Sequence, residues 1–122
     1  MRFAEHQAIY EQVADHVCEM ILRQVWPEGE RIPSVRELAM ELQVNPNTVN
    51  KAYASLQERE IIYNQRGIGY FVADGGRSRT VEVKREEFIN EELPRVFRTL
   101  DLLSIDMEEL ESLYRTYKEN EK

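Results

Sequence analysis

Two helix start signals follow one another closely in the middle of the chain. Ser34 is followed three residues later by Glu37, the pattern of a capping box in which hydroxyl and carboxylate satisfy each other's backbone N–H groups. At Asn45-Pro46 an asparagine can cap, and a proline in the first helical turn gives up no hydrogen bond. Val44 and Val49 flank this second start as a hydrophobic staple would. The sequence therefore predicts two short helices joined by a tight turn, a helix-turn-helix.

The flanking segments extend this motif on both sides. Apolar residues recur at three- and four-residue steps over residues 6–26, which predicts a first helix that begins near His6 and is ended by Pro27 and Gly29. The same spacing predicts the inward faces of the three helices, which comprise Ile9, Val13, Val17, Met20, Ile21 and Val25 in the first, Leu38 and Ala39 in the second, and Val49, Ala52, Tyr53 and Leu56 in the third. Residues 61–63 and 70–72 are rich in β-branched and aromatic side chains and predict two strands, with a glycine-containing hairpin tip at 64–69. Helix, helix, helix, hairpin is the order of a winged helix. The predicted fold class is α+β, mainly α, with this winged helix-turn-helix at the N-terminus.

The second part of the chain is predicted to be helical. Residues 74–79 are small and polar and predict a flexible connection. We therefore expect a winged helix-turn-helix over residues 1–75, a linker over 76–80 and a two-helix domain over 81–122. The first of its helices contains Pro94, where we expect a kink or a break, and Asp106 is the expected cap of the second.

Both C-terminal helices carry an apolar stripe with no predicted partner in the rest of the chain. Two interpretations are open: the stripes pack against a second copy as a short helical hairpin used for dimerisation, or they fold back on their own winged helix. The dimer interpretation assigns the interface to Phe88, Leu93, Val96, Phe97, Leu100, Leu103, Leu110, Leu113, Tyr114 and Tyr117.

The distribution of charge matters more than the formal net charge of −7. A chain with a net negative charge is not expected to bind nucleic acid. However, residues 42–57 contain no aspartate or glutamate, and they include Lys51. A surface that approaches phosphates must lack carboxylates, because like charges repel. The electrostatics of the third helix are therefore compatible with DNA despite the net negative charge of the chain.

The start of the third helix collects side chains that can hydrogen-bond to base edges and phosphates. An asparagine can pair with adenine through two hydrogen bonds, and a threonine offers both a methyl and a hydroxyl group. The alternative is a solvated polar face on which the first asparagine is only a cap. The set comprises Asn45, Asn47, Thr48, Asn50 and Lys51.

Two further sites, the start of the second helix and the hairpin tip, have both a DNA-binding and a purely structural interpretation. Ser34 and Arg36 at the start of the second helix could contact a phosphate or a base from the groove edge, or could serve only as cap and exposed ion-pair partner. Arg66 at the hairpin tip could insert beside DNA, with Gly67 allowing close backbone approach, or could be an exposed arginine.

Other kinds of chemistry find little support. The single Cys18 has no disulfide partner in the chain, and His6 and His16 have no second ligand at metal-binding spacing. No nucleophile has a base beside it in the pattern, and residues 67–69 are too short for a phosphate loop. We expect no enzyme, no cofactor and no metal. No signal peptide or membrane-spanning run is apparent, so a cytoplasmic location is expected.

These motifs together resemble the GntR family of bacterial regulators and, within it, the YtrA-like subfamily. The matching stretches are residues 9–13, 31–39, 44–49, 51–53 with Leu56, and 66–72. The resemblance implies DNA contacts from Arg36, from the start of the third helix and from the wing tip at Arg66-Gly67. Many relatives carry arginine at the positions of Pro46 and Asn50, so the resemblance implies a different operator here.

The resemblance also bears on assembly and regulation. Most members carry a larger effector domain, whereas only residues 81–122 follow the expected linker here. We therefore expect a cytoplasmic homodimer on a palindromic double-stranded operator, acting as a repressor of a nearby operon, as the YtrA-like group does with ABC transporter genes. The alternative function is a winged-helix protein-interaction module without DNA affinity.

Overall fold

The computed structural model describes residues 7–121. The expected start of the first helix at His6 therefore lies outside the described residues. A π-helical segment, Phe88–Glu92, lies between the fourth and fifth helices. The elements in chain order are α1 (Ile9–Leu22), α2 (Val35–Leu42), α3 (Pro46–Glu58), β1 (Ile62–Gln65), β2 (Gly69–Val72), α4 (Gly76–Glu87), α5 (Leu93–Leu102) and α6 (Met107–Asn120). This order confirms a mainly helical fold that begins with a winged helix-turn-helix.

The chain forms two compact units, residues 1–83 and 84–122, which are described separately below. In the first unit, α3 packs against both α1 and α2. Most side chains predicted to face inward form one buried cluster with the start of the hairpin. Ile9 is an exception, because 51% of its surface is exposed at the start of α1. Burial of each such side chain contributes about 1.5–3 kcal/mol relative to exposure. The fully buried members include Val13, Val17, Ile21, Leu38, Val49, Ala52, Tyr53, Ile61 and Val72.

Helix α1 ends earlier than the apolar pattern predicts. It stops at Leu22, and Gln24 adopts a left-handed backbone with φ 59°. Val25 was predicted on the inward face but is half exposed, whereas Trp26 packs against the core. The apolar pattern continues past Leu22, but the chain leaves the helical conformation before Pro27, so the pattern overestimates the length of the helix.

The hairpin is longer than predicted. Strands β1 and β2 are antiparallel and pair from Ile62–Val72 to Gln65–Gly69, so the tip is confined to residues 66–68. A stretch that sequence reasoning missed runs along β2: Gly29 N–H donates to the Val72 carbonyl and Ile32 N–H to that of Tyr70, each at 2.9 Å. This third segment anchors the wing to the chain that leads into α2.

The predicted linker at residues 76–80 is wrong, because the structure has this segment as the beginning of α4. Gly76 is buried, and a Cβ there would lie 2.5 Å from the Ile61 carbonyl oxygen. The glycine therefore permits close packing rather than flexibility. Arg77 donates from Nε and Nη2 to the Leu22 carbonyl at 3.1 and 3.0 Å, and Arg79 Nε donates to the Glu60 carbonyl at 3.0 Å. Helix α4 thus starts as part of the winged helix.

In the second unit, the first of the two predicted helices comprises the end of α4, the π-helical segment and α5, and the second is α6. Near Pro94, where a kink or a break was expected, the helix changes type without being interrupted: Glu87, Glu92 and Leu93 keep right-handed helical backbone angles, the π-helical segment leads directly into α5, and Pro94 lies in the first turn of α5. Asp106 caps α6 as predicted, its Oδ1 accepting the Glu109 N–H at 2.9 Å. None of the residues described in the π-helical segment, α5 or α6 is buried. Leu102 and Leu103 are 80% and 64% exposed, respectively.

Candidate nucleic-acid interface

The start of α3 is built by the cap that the sequence predicts. Asn45 has an extended backbone, and its Oδ1 accepts the Asn47 N–H at 2.8 Å, while Pro46 fills the first helical turn. The first N–H groups of a helix have no intrahelical acceptor and form the positive end of its dipole. Because no acidic residue lies in the first turn of α3, this end can approach an anion without repulsion from its own helix.

The buried side of α3 determines which side chains are left outside. Val49, Ala52 and Tyr53 are fully buried. Asn47, Asn50 and Lys51 are exposed, Thr48 is half-buried, and Asn45 and Pro46 are exposed at the cap. The predicted polar set is therefore accessible over the first two turns of the helix.

The start of α2 is a complete capping box. Ser34 Oγ accepts the Glu37 N–H at 3.1 Å, and the Ser34 N–H donates to Glu37 Oε1 at 2.8 Å. Hydrogen bonds from the Ser34 backbone and side chain hold the pKa of the Glu37 carboxyl below its usual value. The carboxylate therefore contributes to the cap above its unfolded pKa, and that contribution is lost as pH falls through the lower folded value.

Replacing Ser34 by alanine should lower the free energy of unfolding by about 1 kcal/mol, the usual cost of a lost N-cap. Chemical denaturation followed by circular dichroism measures this difference. The control is Ser34→Thr, which keeps a hydroxyl cap and should fall within a few tenths of the wild type. Equal loss in both variants would contradict the capping role.

Tyr53 ties α3 to the other two parts of the surface. Its hydroxyl donates to the Pro33 carbonyl at 2.7 Å, immediately before the α2 cap. Its ring meets that of Tyr70 on β2 edge-on, with centroids 4.8 Å apart. Burial strongly raises the pKa of the Tyr53 hydroxyl, so it stays protonated and remains a donor. One buried side chain therefore connects α3 with the start of α2 and with the wing.

The structure brings Arg36 and Pro46 together. Both line one shallow, mostly apolar hollow, together with Ala39, Met40 and Val44. Arg36 is exposed at the second position of α2, and Pro46 begins α3. The N-terminal ends of the two helices thus share one surface.

The side chain of Lys51 on α3 contacts a residue of another helix. Its Nζ lies 4.2 Å from the centroid of the Tyr10 ring on α1. Tyr10 was not among the predicted site residues, and no spacing in the sequence signals this pairing, because it depends on how α1 packs against α3.

The wing tip presents the predicted pair. Arg66 and Gly67 are exposed, Gly67 has φ 80°, and the space around its Cα is open. The Ile68 N–H closes the turn on the Gln65 carbonyl at 2.9 Å. Arg31, which sequence reasoning left aside, lies with its guanidinium against Gly69 and lowers the pKa of Glu37 electrostatically. A further cation therefore lies between wing and α2.

The described residues contain neither a candidate metal site nor a helix that could span a membrane. Within residues 7–121 no group of three or more His, Cys, Asp or Glu side chains could hold a metal ion. His16 instead packs edge-on against Trp26, with ring centroids 6.4 Å apart. Among the helices of these residues, none is both long and apolar enough to cross a membrane.

Comparison with known proteins agrees with this geometry. Residues 9–72 match the family model of bacterial regulatory proteins of the gntR family. The transcriptional repressor YtrA of Bacillus subtilis is 35% identical over 102 residues, which cover 84% of this chain and 78% of that protein.

Two solved structures extend the comparison to three dimensions. A GntR-family transcriptional regulator from Bacteroides thetaiotaomicron has 43% sequence identity and a TM-score of 0.75, covering 94% of this chain and all of that one. The DNA-binding domain of AraR in complex with its operator ORR3 has 27% identity and a TM-score of 0.54, covering 60% of this chain and 86% of that one.

The family model spans the capped helices and the wing, and the similarity to YtrA and to the Bacteroides regulator continues into the second unit. The family consists of transcription regulators rather than enzymes. This chain belongs to the GntR family of bacterial transcription regulators.

Proposed function

We propose that the protein is a sequence-specific DNA-binding repressor that acts as a homodimer on a palindromic operator. The observation that carries the proposal is the exposed, carboxylate-free start of α3, flanked by the α2 cap and the wing tip. The similarity to the AraR domain, which was solved on its operator, supports DNA as the ligand of this surface.

In this proposal α3 enters the major groove with its N-terminal end. Asn47 and Asn50 read base edges, and their amides suit adenine. Thr48 and the cap at Asn45 contact bases or phosphates, and the helix dipole favours phosphate nearby. The side chains at these positions are amides rather than arginines. We therefore expect the operator to contain more A·T pairs than the operator of a relative that reads DNA with arginines.

The flanking groups supply affinity. Ser34 and Arg36, at the start of α2, contact DNA phosphates. Phosphate contacts of this kind fix the register of a protein on a duplex. Arg66 and Gly67 reach the adjacent groove from the wing, where the open space around Gly67 allows close approach. Because the whole chain carries a formal charge of −7, these few cations are expected to matter greatly.

The second unit supports the homodimer. It comprises residues 84–122 and has no buried residue in the π-helical segment, α5 or α6. Units below about 40 residues usually need disulfides, metals or oligomerisation to be stable. A second copy that covers the apolar stripe from Phe88 to Tyr117 would stabilise the unit by oligomerisation. A two-fold dimer of this kind presents two α3 helices to half-sites about one helical turn apart.

The similarity to the repressor YtrA supports repression as the direction of regulation. We infer that the target is an operon near the protein's own gene, with an ABC transporter as the expected product, and that the protein works in the cytoplasm, where bacterial DNA lies. RNA sequencing of a deletion strain should show that operon induced; lowered transcription would contradict repression.

A mobility-shift titration of the purified protein with its own promoter tests DNA binding directly. Arg66→Ala should lose about 1–3 kcal/mol of binding free energy if Arg66 reads a base. The matched control is Arg23→Ala, since Arg23 is an exposed arginine beyond the end of α1 that pairs only loosely with Glu19, at 3.7 Å. Unchanged binding in Arg66→Ala would remove the wing from the interface. A wild-type protein without affinity for any duplex would favour a protein-interaction module instead.

A further inference from the structure

The contact between Lys51 and Tyr10 changes the role expected for the single lysine of the recognition helix. A cation within about 6 Å of an aromatic centroid is attracted by the ring. Lys51 Nζ lies 4.2 Å from the Tyr10 centroid, well inside that range. Lys51 is exposed and Tyr10 is half-buried, so the ring has neighbours on part of its surface while the lysine remains accessible to solvent.

The direction of the contact matters. Tyr10 belongs to the first turn of α1, and α1 is the helix that packs against α3 behind its exposed polar positions. A lysine held there is drawn towards the ring on the first turn of α1. An ammonium group is a compact point charge with three donors, and contact with a ring face leaves donors for a phosphate oxygen.

We propose that Tyr10 is a positioning residue that holds Lys51 for a phosphate contact at the edge of the groove, and that Lys51 does not read bases. The inference rests on the proposed DNA-binding function and assigns one task within it. Without the ring, the four-carbon stem of the lysine samples many rotamers, and ordering it on DNA costs conformational entropy. With the ring in place, the lysine side chain is already partly ordered before DNA binds, so binding costs less conformational entropy.

The test compares four variants, Tyr10→Phe, Tyr10→Leu, Lys51→Met and the double variant Tyr10→Leu/Lys51→Met, in binding titrations over a range of salt concentrations. The probes are the promoter duplex that the wild type shifts and a scrambled duplex of equal length and composition. Thermal melts of each variant establish that it is folded. If Tyr10→Leu does not fold, the binding of Lys51→Met to the two duplexes still decides whether Lys51 reads bases.

A positioning role predicts a specific pattern. Tyr10→Phe should bind like the wild type, and Tyr10→Leu should bind both duplexes about two- to fivefold more weakly, the range of an exposed cation–π contact. Lys51→Met should weaken both duplexes to the same degree and reduce the salt slope by about one. The double variant should be no weaker than Lys51→Met alone, because the ring acts only through the lysine.

Two results would overturn the inference while leaving DNA binding intact. One is a Lys51→Met variant that loses affinity for the promoter but not for the scrambled duplex, which would make Lys51 a base reader. The other is full additivity of the two substitutions, which would separate the ring from the lysine. A wild-type protein that binds neither duplex would overturn the proposed function itself.

Discussion

Replacing Phe97 by glutamate should convert the protein from a dimer to a monomer and weaken operator binding by a factor of about 10²–10⁴, the usual contribution of linking two binding modules. Phe97 lies in the middle of α5, and 46% of its side-chain surface is exposed in the single chain. In the proposed dimer that surface is covered, and a buried carboxylate without a partner is strongly unfavourable. Sedimentation velocity gives the oligomeric state, and a mobility-shift titration gives the affinity.

The control for this variant is Arg98→Gln. Arg98 is the neighbouring residue, is exposed, and lies about 100° further around the helix, on the side away from the apolar stripe. Its substitution should leave the dimer and the affinity nearly unchanged. Circular dichroism establishes whether both variants keep their helix content. A dimer that survives both Phe97→Glu and Tyr117→Glu would refute the proposed interface.

Replacing Tyr53 by alanine should lower the free energy of unfolding by about 3–5 kcal/mol, the cost typical of removing a large buried aromatic side chain. Tyr53 is fully buried and joins α3 to Tyr70 on the wing. The milder Tyr53→Phe removes only the donor to the Pro33 carbonyl and should cost about 1–3 kcal/mol, because that acceptor is left without its partner. Urea denaturation measures both losses.

Tyr63→Phe serves as the matched control, since it removes a hydroxyl from a ring that is 42% exposed and should change stability little. The raised pKa of Tyr53 adds a pH dependence: its hydroxyl ionises more readily in the unfolded chain, so its contribution is intact below about pH 10 and is lost as pH rises towards the folded pKa. Tyr53→Phe should remove this part of the alkaline loss. Equal behaviour of Tyr53→Phe and Tyr63→Phe would contradict the connecting role of Tyr53.

The recognition motif could be predicted because its determinants are local. A cap at Ser34 bonds to Glu37 and a cap at Asn45 bonds to Asn47, so the chemistry that starts each helix lies within a few residues of the start. The inward faces followed from helical periodicity for the same reason. Whether the exposed set contacts DNA, and whether the C-terminal stripes form a dimer, stays a prediction that Arg66→Ala and Phe97→Glu test.

The errors occurred where long-range packing decides between local alternatives. Gly75-Gly76 has the composition of a linker, yet Gly76 is needed because the Ile61 carbonyl lies too close for a side chain. Arg77 satisfies the end of α1, a helix distant in sequence. The pairing of residues 29–32 with β2 and the contact of Tyr10 with Lys51 also join segments that no local pattern connects.

Genome-wide mapping of the DNA bound by the protein in its own cell tests the central claim most directly, with Arg66→Ala/Asn50→Ala as the matched variant. The account predicts a small number of sites that share a two-fold symmetric sequence, with half-sites about one helical turn apart, and loss of these sites in the variant. Bound regions without a shared sequence, or the same sites in both proteins, would contradict reading of DNA by α3 and the wing.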